Sequence, residues 1–208
     1  SPGEFIPIAE DTGLIVEIGQ WVVAECQRQL ASWRAAGLNT LRVSLNVSAI
    51  QLRHAEDVDQ LLRVLESGGA DGLTLELTES ALIDNSDGAQ AFLRGAKQLG
   101  CAVALDDFGT GFSSLGYLRN FDFDVLKIDK TFIDELANTR DYGLVASIVS
   151  MGRILGMKVV AEGVEEAEQV ERLKQIGCDY IQGFYYSKPL PPKDFQSFVD
   201  EAELRDVG

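Results

Sequence analysis

Cysteine is scarce in this chain of 208 residues, histidine is nearly absent, and positive charge is in the minority. The three cysteines, Cys26, Cys101 and Cys178, are odd in number and far apart, with no C-x-x-C spacing. That pattern fits a reducing compartment and excludes a disulfide framework as the source of stability. The one histidine, His54, lies in a polar stretch after Gln51 and reads as a surface residue. Without a cluster of histidine and cysteine, zinc is disfavoured as a metal. Lysine and arginine number 18 against 33 aspartates and glutamates, for a net charge of −15. This balance argues against polymeric nucleic acid, or an anionic membrane surface, bound through a basic face. An anionic ligand would need metal ions between it and the protein. No signal peptide and no apolar run long enough to span a bilayer is found. The chain therefore reads as cytoplasmic, or as the cytoplasmic part of a membrane-anchored protein.

What the chain does have is apolar content, 46%, enough for one sizeable core, so residues 1–208 are expected to form a single domain. The pattern alternates with little linker. Thr12 reads as the N-cap of a long helix running to Gly37, with Leu14, Ile18, Val22, Cys26 and Leu30 at helical spacing, and the preceding "SPGEFIPIAEDTG" reads as a loop entering it. Short β-rich runs follow at 41–48, 73–80, 103–109, 125–130, 158–164 and 180–186, separated by amphipathic stretches. Gly100, Gly156 and Gly177 stand where helix C-caps belong.

Six strand–helix units in alternation predict a parallel sheet, either doubly wound or closed into a barrel. Strands buried on both faces are mostly apolar, so polar residues within them need a reason. Nearly every strand here has one near its C-terminal end: Asn46, Glu76 with Glu79, Asp106 with Asp107, Lys127 with Asp129, Glu162, and Gln182. A doubly wound sheet gathers strand ends around one ligand only at its switch point, whereas a barrel brings all of them to one mouth. The even spread predicts an α/β (β/α)8 TIM-like barrel, with about two N-terminal strands missing from a full set of eight.

Alternation also decides which side chains converge, since residues two apart share a face: Glu76 with Thr78, Ala104 with Asp106, Lys127 with Asp129. Four to six carboxylates would then crowd one mouth beside a single lysine. Such a group calls for hard, oxygen-preferring divalent cations, Mg2+ or Mn2+. The adjacent Asp106 and Asp107 suggest two cations held close together, the apparatus of metal-assisted phosphodiester hydrolysis.

At these same residues the chain resembles the EAL-domain cyclic-di-GMP phosphodiesterases. "NVSA" (46–49), "ELTES" (76–80), "DDFGTGFSSL" (106–115), "KIDKTFI" (127–133), "AEGVE" (161–165) and "QGFYYSKPL" (182–190) are similar to that family's successive motifs, in order. "FIPIAEDTGLI" resembles its segment entering the first long helix. The resemblance implies that Asn46, Glu76, Asp106 and Glu162 ligate metal, with Asp107 at the second of two Mg2+ or Mn2+ ions. It implies that Lys127 lies beside the attacking water and that Glu162 helps to deprotonate it. Glu79 would anchor the "DDFGTGFSSL" loop, and Asp129, Glu165, Gln182 and Gly183 would contact the ligand. The implied reaction opens cyclic-di-GMP to linear pGpG. A homodimer and an upstream sensory or GGDEF-type domain are the implied partners, with no direct membrane contact by this domain. The Glu-Ala-Leu motif that names the family, with its metal-ligating glutamate, does not occur in these residues. Either it lies upstream of Ser1 or the protein lacks it, and these residues alone are expected to show little activity.

Two other functions fit the residues. A receptor of the same fold would bind cyclic-di-GMP without cleaving it. A Mg2+-dependent enolising enzyme would use Lys127 as its base. Plainer readings stand beside individual residues: Lys127 and Asp129 as a structural ion pair, Gly109 and Gly111 as turn glycines, and Trp21 and Trp33 as core or interface residues on the long helix.

Overall fold

The computed structural model describes residues 1–84, 86–109, 121–136 and 139–206. Two helices, α1 (Pro2–Thr12) and α2 (Ile15–Ala35), lead into the alternating part. Strand β1 (Val43–Asn46) is followed by a short 3-10 turn (Ala49–Leu52) and α3 (Ala55–Gly68), then by β2 (Leu73–Thr78), α4 (Glu79–Asp84) and α5 (Ser86–Gln98). Strand β3 (Ala102–Phe108) precedes β4 (Val125–Ile128), α6 (Lys130–Asp134) and α7 (Thr139–Ile154). Strand β5 (Lys158–Ala161), α8 (Ala167–Ile176), β6 (Tyr180–Ile181) and α9 (Pro192–Asp206) complete the order. Among the described residues all six strands pair in parallel and in sequence order, β1 to β6. The result is a curled sheet with six of the eight strands of a TIM-like barrel, open between β6 and β1.

Strand alternation sorts the two faces of this sheet. Leu73, Leu75 and Leu77 of β2, Val103 and Leu105 of β3, Leu126 and Ile128 of β4, and Val159 and Ala161 of β5 are buried in the apolar layer between sheet and helices. Each fully buried leucine contributes on the order of 1.5–3 kcal/mol by leaving water. Helices α3 and α5 turn their apolar stripes to the same layer, through Val58, Leu61 and Leu65 and through Phe92, Leu93 and Ala96. The opposite parity, Ser44, Thr74, Glu76, Ala102, Ala104, Val125, Lys127, Lys158, Val160, Tyr180 and Gln182, lines a concave trough of about 620 Å³ inside the curl. Small residues in the middle of β3 leave this trough room.

Two expectations are corrected. The first twelve residues are not a loop: Pro2 opens α1, and Ser1 and Glu4 form a capping box at its start. Thr12 ends that helix rather than capping the next, because Gly13 takes a left-handed φ of 77° and stops it. Of the two tryptophans of α2, Trp21 is 67% exposed, which leaves the interface alternative, and Trp33 packs on the Phe195 ring at 5.1 Å. Gly100, Gly156 and Gly177 do have positive φ, as their C-cap positions require. Among the described residues no helix is long and apolar enough to cross a membrane.

Candidate functional site

Lys127 is the centre of the upper end of the trough. Alternation along β4 turns it inward, and it is only 4% exposed. A buried ammonium without partners costs several kcal/mol. Its Nζ is met by Glu76 Oε2 of β2 at 2.6 Å, Glu162 Oε1 at 2.8 Å and Asp106 Oδ1 of β3 at 3.0 Å. Glu162 follows the last residue of β5 and keeps that strand's inward parity, its N–H donating to the Ile128 carbonyl at 3.1 Å. Three strands thus deliver one carboxylate each to one cation. The expected Lys127–Asp129 pair is not how the lysine is used: Asp129 instead caps α6, accepting from the Thr131 N–H at 2.9 Å.

The two adjacent aspartates have a specific backbone cause. In regular strand geometry Asp106 and Asp107 would point to opposite faces. The β3–β4 register shifts between Leu105 and Phe108, and Asp107 has a φ of 54°. It is the one non-glycine residue with positive φ among those described. A bulge of this kind re-aims a side chain next to a site. Here it brings carboxylate oxygens of Asp106, Asp107 and Glu162 within 4.8 Å of one another. Glu76 stands behind this trio, on Lys127, and the exposed Asn46 lies opposite Glu76 in the β1–β2 ladder.

Four carboxylates face one ammonium, and the proton affinities of Glu162, Asp107 and Lys127 are shifted. Burial pushes Glu162 up to about 7, against the hydrogen bond and charge of Lys127, with Asp106 and Glu76 adding repulsion. Burial also raises Asp107, helped by the charges of Asp106, Asp129 and Glu76. For Lys127 burial opposes the charge, but hydrogen bonds to Glu162 and Glu76 outweigh it and raise its pKa. Three carboxylates within 3.0 Å favour the ammonium form of this lysine. An excess of negative charge in an all-oxygen donor set fits a hard divalent cation.

The remaining expected residues lie outside this group of carboxylates. Glu79 Oε1 accepts from the Gly109 N–H at 2.9 Å, holding the start of the segment whose residues 110–120, Gly111 among them, lie outside the described set. Gly109 has a φ of 98°, and a Cβ there would stand 2.7 Å from the Phe132 ring. Glu165 is exposed and bonded to Lys130 at 2.8 Å, and Gln182 is exposed at the trough's edge. Gly183 has a packing reason beside any ligand role, because a Cβ would sit 2.0 Å from the Val164 carbonyl oxygen.

Two further residues have no role in the sequence reading. Lys130 bonds Glu165 and Asp134, and Gln169 ties the 165–166 turn to α6. Gln169 had a signal, the three-residue spacing of a capping box with Glu166, while Lys130 had none.

A family model described as the EAL domain matches residues 1–189. The bifunctional diguanylate cyclase/cyclic di-GMP phosphodiesterase MucR of Pseudomonas aeruginosa is 42% identical over 202 residues, covering 96% of this chain and 30% of MucR. The cyclic di-GMP phosphodiesterase PdeR of Escherichia coli is 40% identical over 198 residues, covering 94% of this chain and 30% of PdeR. Among solved structures, the PaMucR phosphodiesterase in its c-di-GMP complex has a TM-score of 0.87 at 41% identity, covering 94% of this chain and 80% of that one. The EAL domain of Mycobacterium smegmatis DcpA has a TM-score of 0.81 at 32% identity, covering 89% and 85%. The chain spans 25 to 30% of the length of the curated relatives it matches first.

Proposed function

The chain belongs to the EAL domain family, and from that premise we propose that it hydrolyses one phosphodiester bond of cyclic-di-GMP, giving linear pGpG. The observation that carries this reading is the convergence on buried Lys127 of Glu76, Asp106 and Glu162 from three strands, with Asp107 turned in by the β3 bulge. Asp106, Asp107 and Glu162 would hold two Mg2+ or Mn2+ ions, with Glu76 and Asn46 completing the oxygen donors. Bound there, the cations would neutralise phosphate charge and make water a better nucleophile.

The chain's own groups supply the rest. The Lys127 ammonium, held by its three carboxylates, places a fixed positive charge at the upper end of the trough, where it would help to orient a water for in-line attack. Glu162, which lies 2.8 Å from the Lys127 ammonium, would help to take a proton from that water. Asp129, Glu165, Gln182 and Gly183 would position the ligand. Glu79 holds the adjoining loop through Gly109. The reading includes a cytoplasmic location, a homodimer, and a neighbouring sensory or GGDEF-type domain; the multidomain relatives support the last of these.

The test is turnover of cyclic-di-GMP by the intact protein, with pGpG separated by chromatography. Mg2+ or Mn2+ should support the reaction, chelator should stop it, and Ca2+, with its looser coordination, should not replace them. Turnover that survives chelation would overturn the metal roles. Tight binding with no pGpG formed would leave a receptor in place of the enzyme.

A further inference from the structure

The turn 162–166 is tied at two points to helix α6, which begins directly after Asp129. At the N-terminal end of α6, Lys130 Nζ bonds Glu165 Oε1 at 2.8 Å and reaches the Gly163 carbonyl at 3.4 Å, while Asp134 Oδ1 lies at 3.1 Å. The aliphatic stem of Lys130 lies directly over Gly163: a Cβ there would stand 2.4 Å from its Cγ, and Gly163 has a φ of 68°. Near the C-terminal end of α6, Gln169 Nε2 donates to the Ile133 carbonyl at 3.1 Å. The same amide's Oε1 accepts from the N–H groups of Glu165 and Glu166 at 2.8 and 3.0 Å. Glu162, at the other end of the turn, is already held by Lys127 and by the Ile128 carbonyl.

We propose that Lys130 and Gln169 form a clasp that makes α6 and the 162–166 turn one body, and that Lys130 is the positioning residue that sets Glu165 against the ligand. The proposal rests on the cyclic-di-GMP reading for what Glu165 meets. Lys130 is half-exposed, and ion pairs of that kind contribute little to stability. Its removal should therefore free the turn without unfolding the domain. Glu162 keeps its own anchors, so the loss falls on ligand positioning in ground and transition states alike, which appears in KM more than in kcat.

The test measures both constants, the melting temperature and amide hydrogen exchange of the intact protein and of Lys130→Ala and Lys130→Arg. Lys130→Ala should raise KM for cyclic-di-GMP roughly 3- to 10-fold, the size of one ordinary hydrogen-bonded contact, with kcat within about twofold. Exchange at 163–166 should quicken, and Lys130→Arg, which can still reach Glu165, should recover most of the affinity. Unchanged KM and unchanged exchange in Lys130→Ala would overturn the clasp. So would a loss matched by a fall in melting temperature that Lys130→Arg does not restore. If the wild-type protein turns over no cyclic-di-GMP, the functional reading fails, and exchange at 163–166 still decides whether the clasp exists.

Discussion

At the lower end of the sheet, where strands begin, Lys97 meets Asp122 and Asp124 at 2.7 and 3.0 Å, and Lys158 meets Asp179 at 2.6 Å. At the upper end Lys127 meets Glu76, Asp106 and Glu162. Residue types and distances are alike, but the roles differ. Asp124 and Asp179 also accept backbone N–H groups, from Val103 at 2.9 Å and Val159 at 3.0 Å, so each closes the start of a neighbouring strand. Lys158 is 60% exposed and water screens its pair. At the upper end the lysine and its partners are nearly dry, and carboxylates outnumber cations. A lysine–carboxylate contact is structural where it satisfies the backbone in water, and chemical where it concentrates unbalanced charge in a dry concavity open to a ligand.

Substitutions at the two ends sharpen this contrast. The largest effect is expected at Lys127: Lys127→Ala should lower kcat about 10²- to 10⁴-fold, the range for a group acting on the proton-transfer step, while calorimetry still detects cyclic-di-GMP binding. Equal losses in binding and rate would make Lys127 a ligand contact rather than a group acting on water. A smaller effect, of the opposite kind, is expected at the lower end. Asp124→Asn should destabilise the fold by about 1–2 kcal/mol through its weakened bonds to Val103 and Lys97, read as a lower urea midpoint, with kcat per folded molecule unchanged.

The smallest effect is a pH dependence at Asp179. Burial opposes its charge, but the hydrogen bonds from Lys158 and the Val159 N–H hold its carboxyl below the usual aspartate range. The folded protein therefore binds this proton less readily than the unfolded chain. The stabilisation is complete above the unfolded value of about 3.9 and is lost as pH falls through the lower folded value. Asp179→Asn should remove that part of the acid slope in urea midpoints measured between neutral pH and about 3. An unchanged slope would show that Lys158 and Asp179 do not interact in solution.

Much of this site is legible before any coordinates, because parallel strands obey a period of two. Glu76, Asp106, Lys127 and Glu162 each occupy the inward parity of their strand, and the apolar residues between them turn to the helices. Asp107 is different. Its parity sends it outward, and only the bulge and its left-handed backbone return it to the group. The bland reading of Lys127 with Asp129 failed for a related reason: strand parity puts the two on one face, but Asp129 lies past the end of β4 and turns to the N-terminus of α6.

By itself the sequence determined the presence of six parallel strands, the inward parity of their polar residues and the glycine stops of three helices, since these follow from spacing within segments and from their alternation along the chain. The tertiary structure decided which carboxylates share Lys127, that α6 is clasped to the turn after β5, and that two neighbouring aspartates face the same point. These depend on the sheet's curl, on register between strands and on one strained residue, quantities that come into being only when segments distant in the chain are packed together.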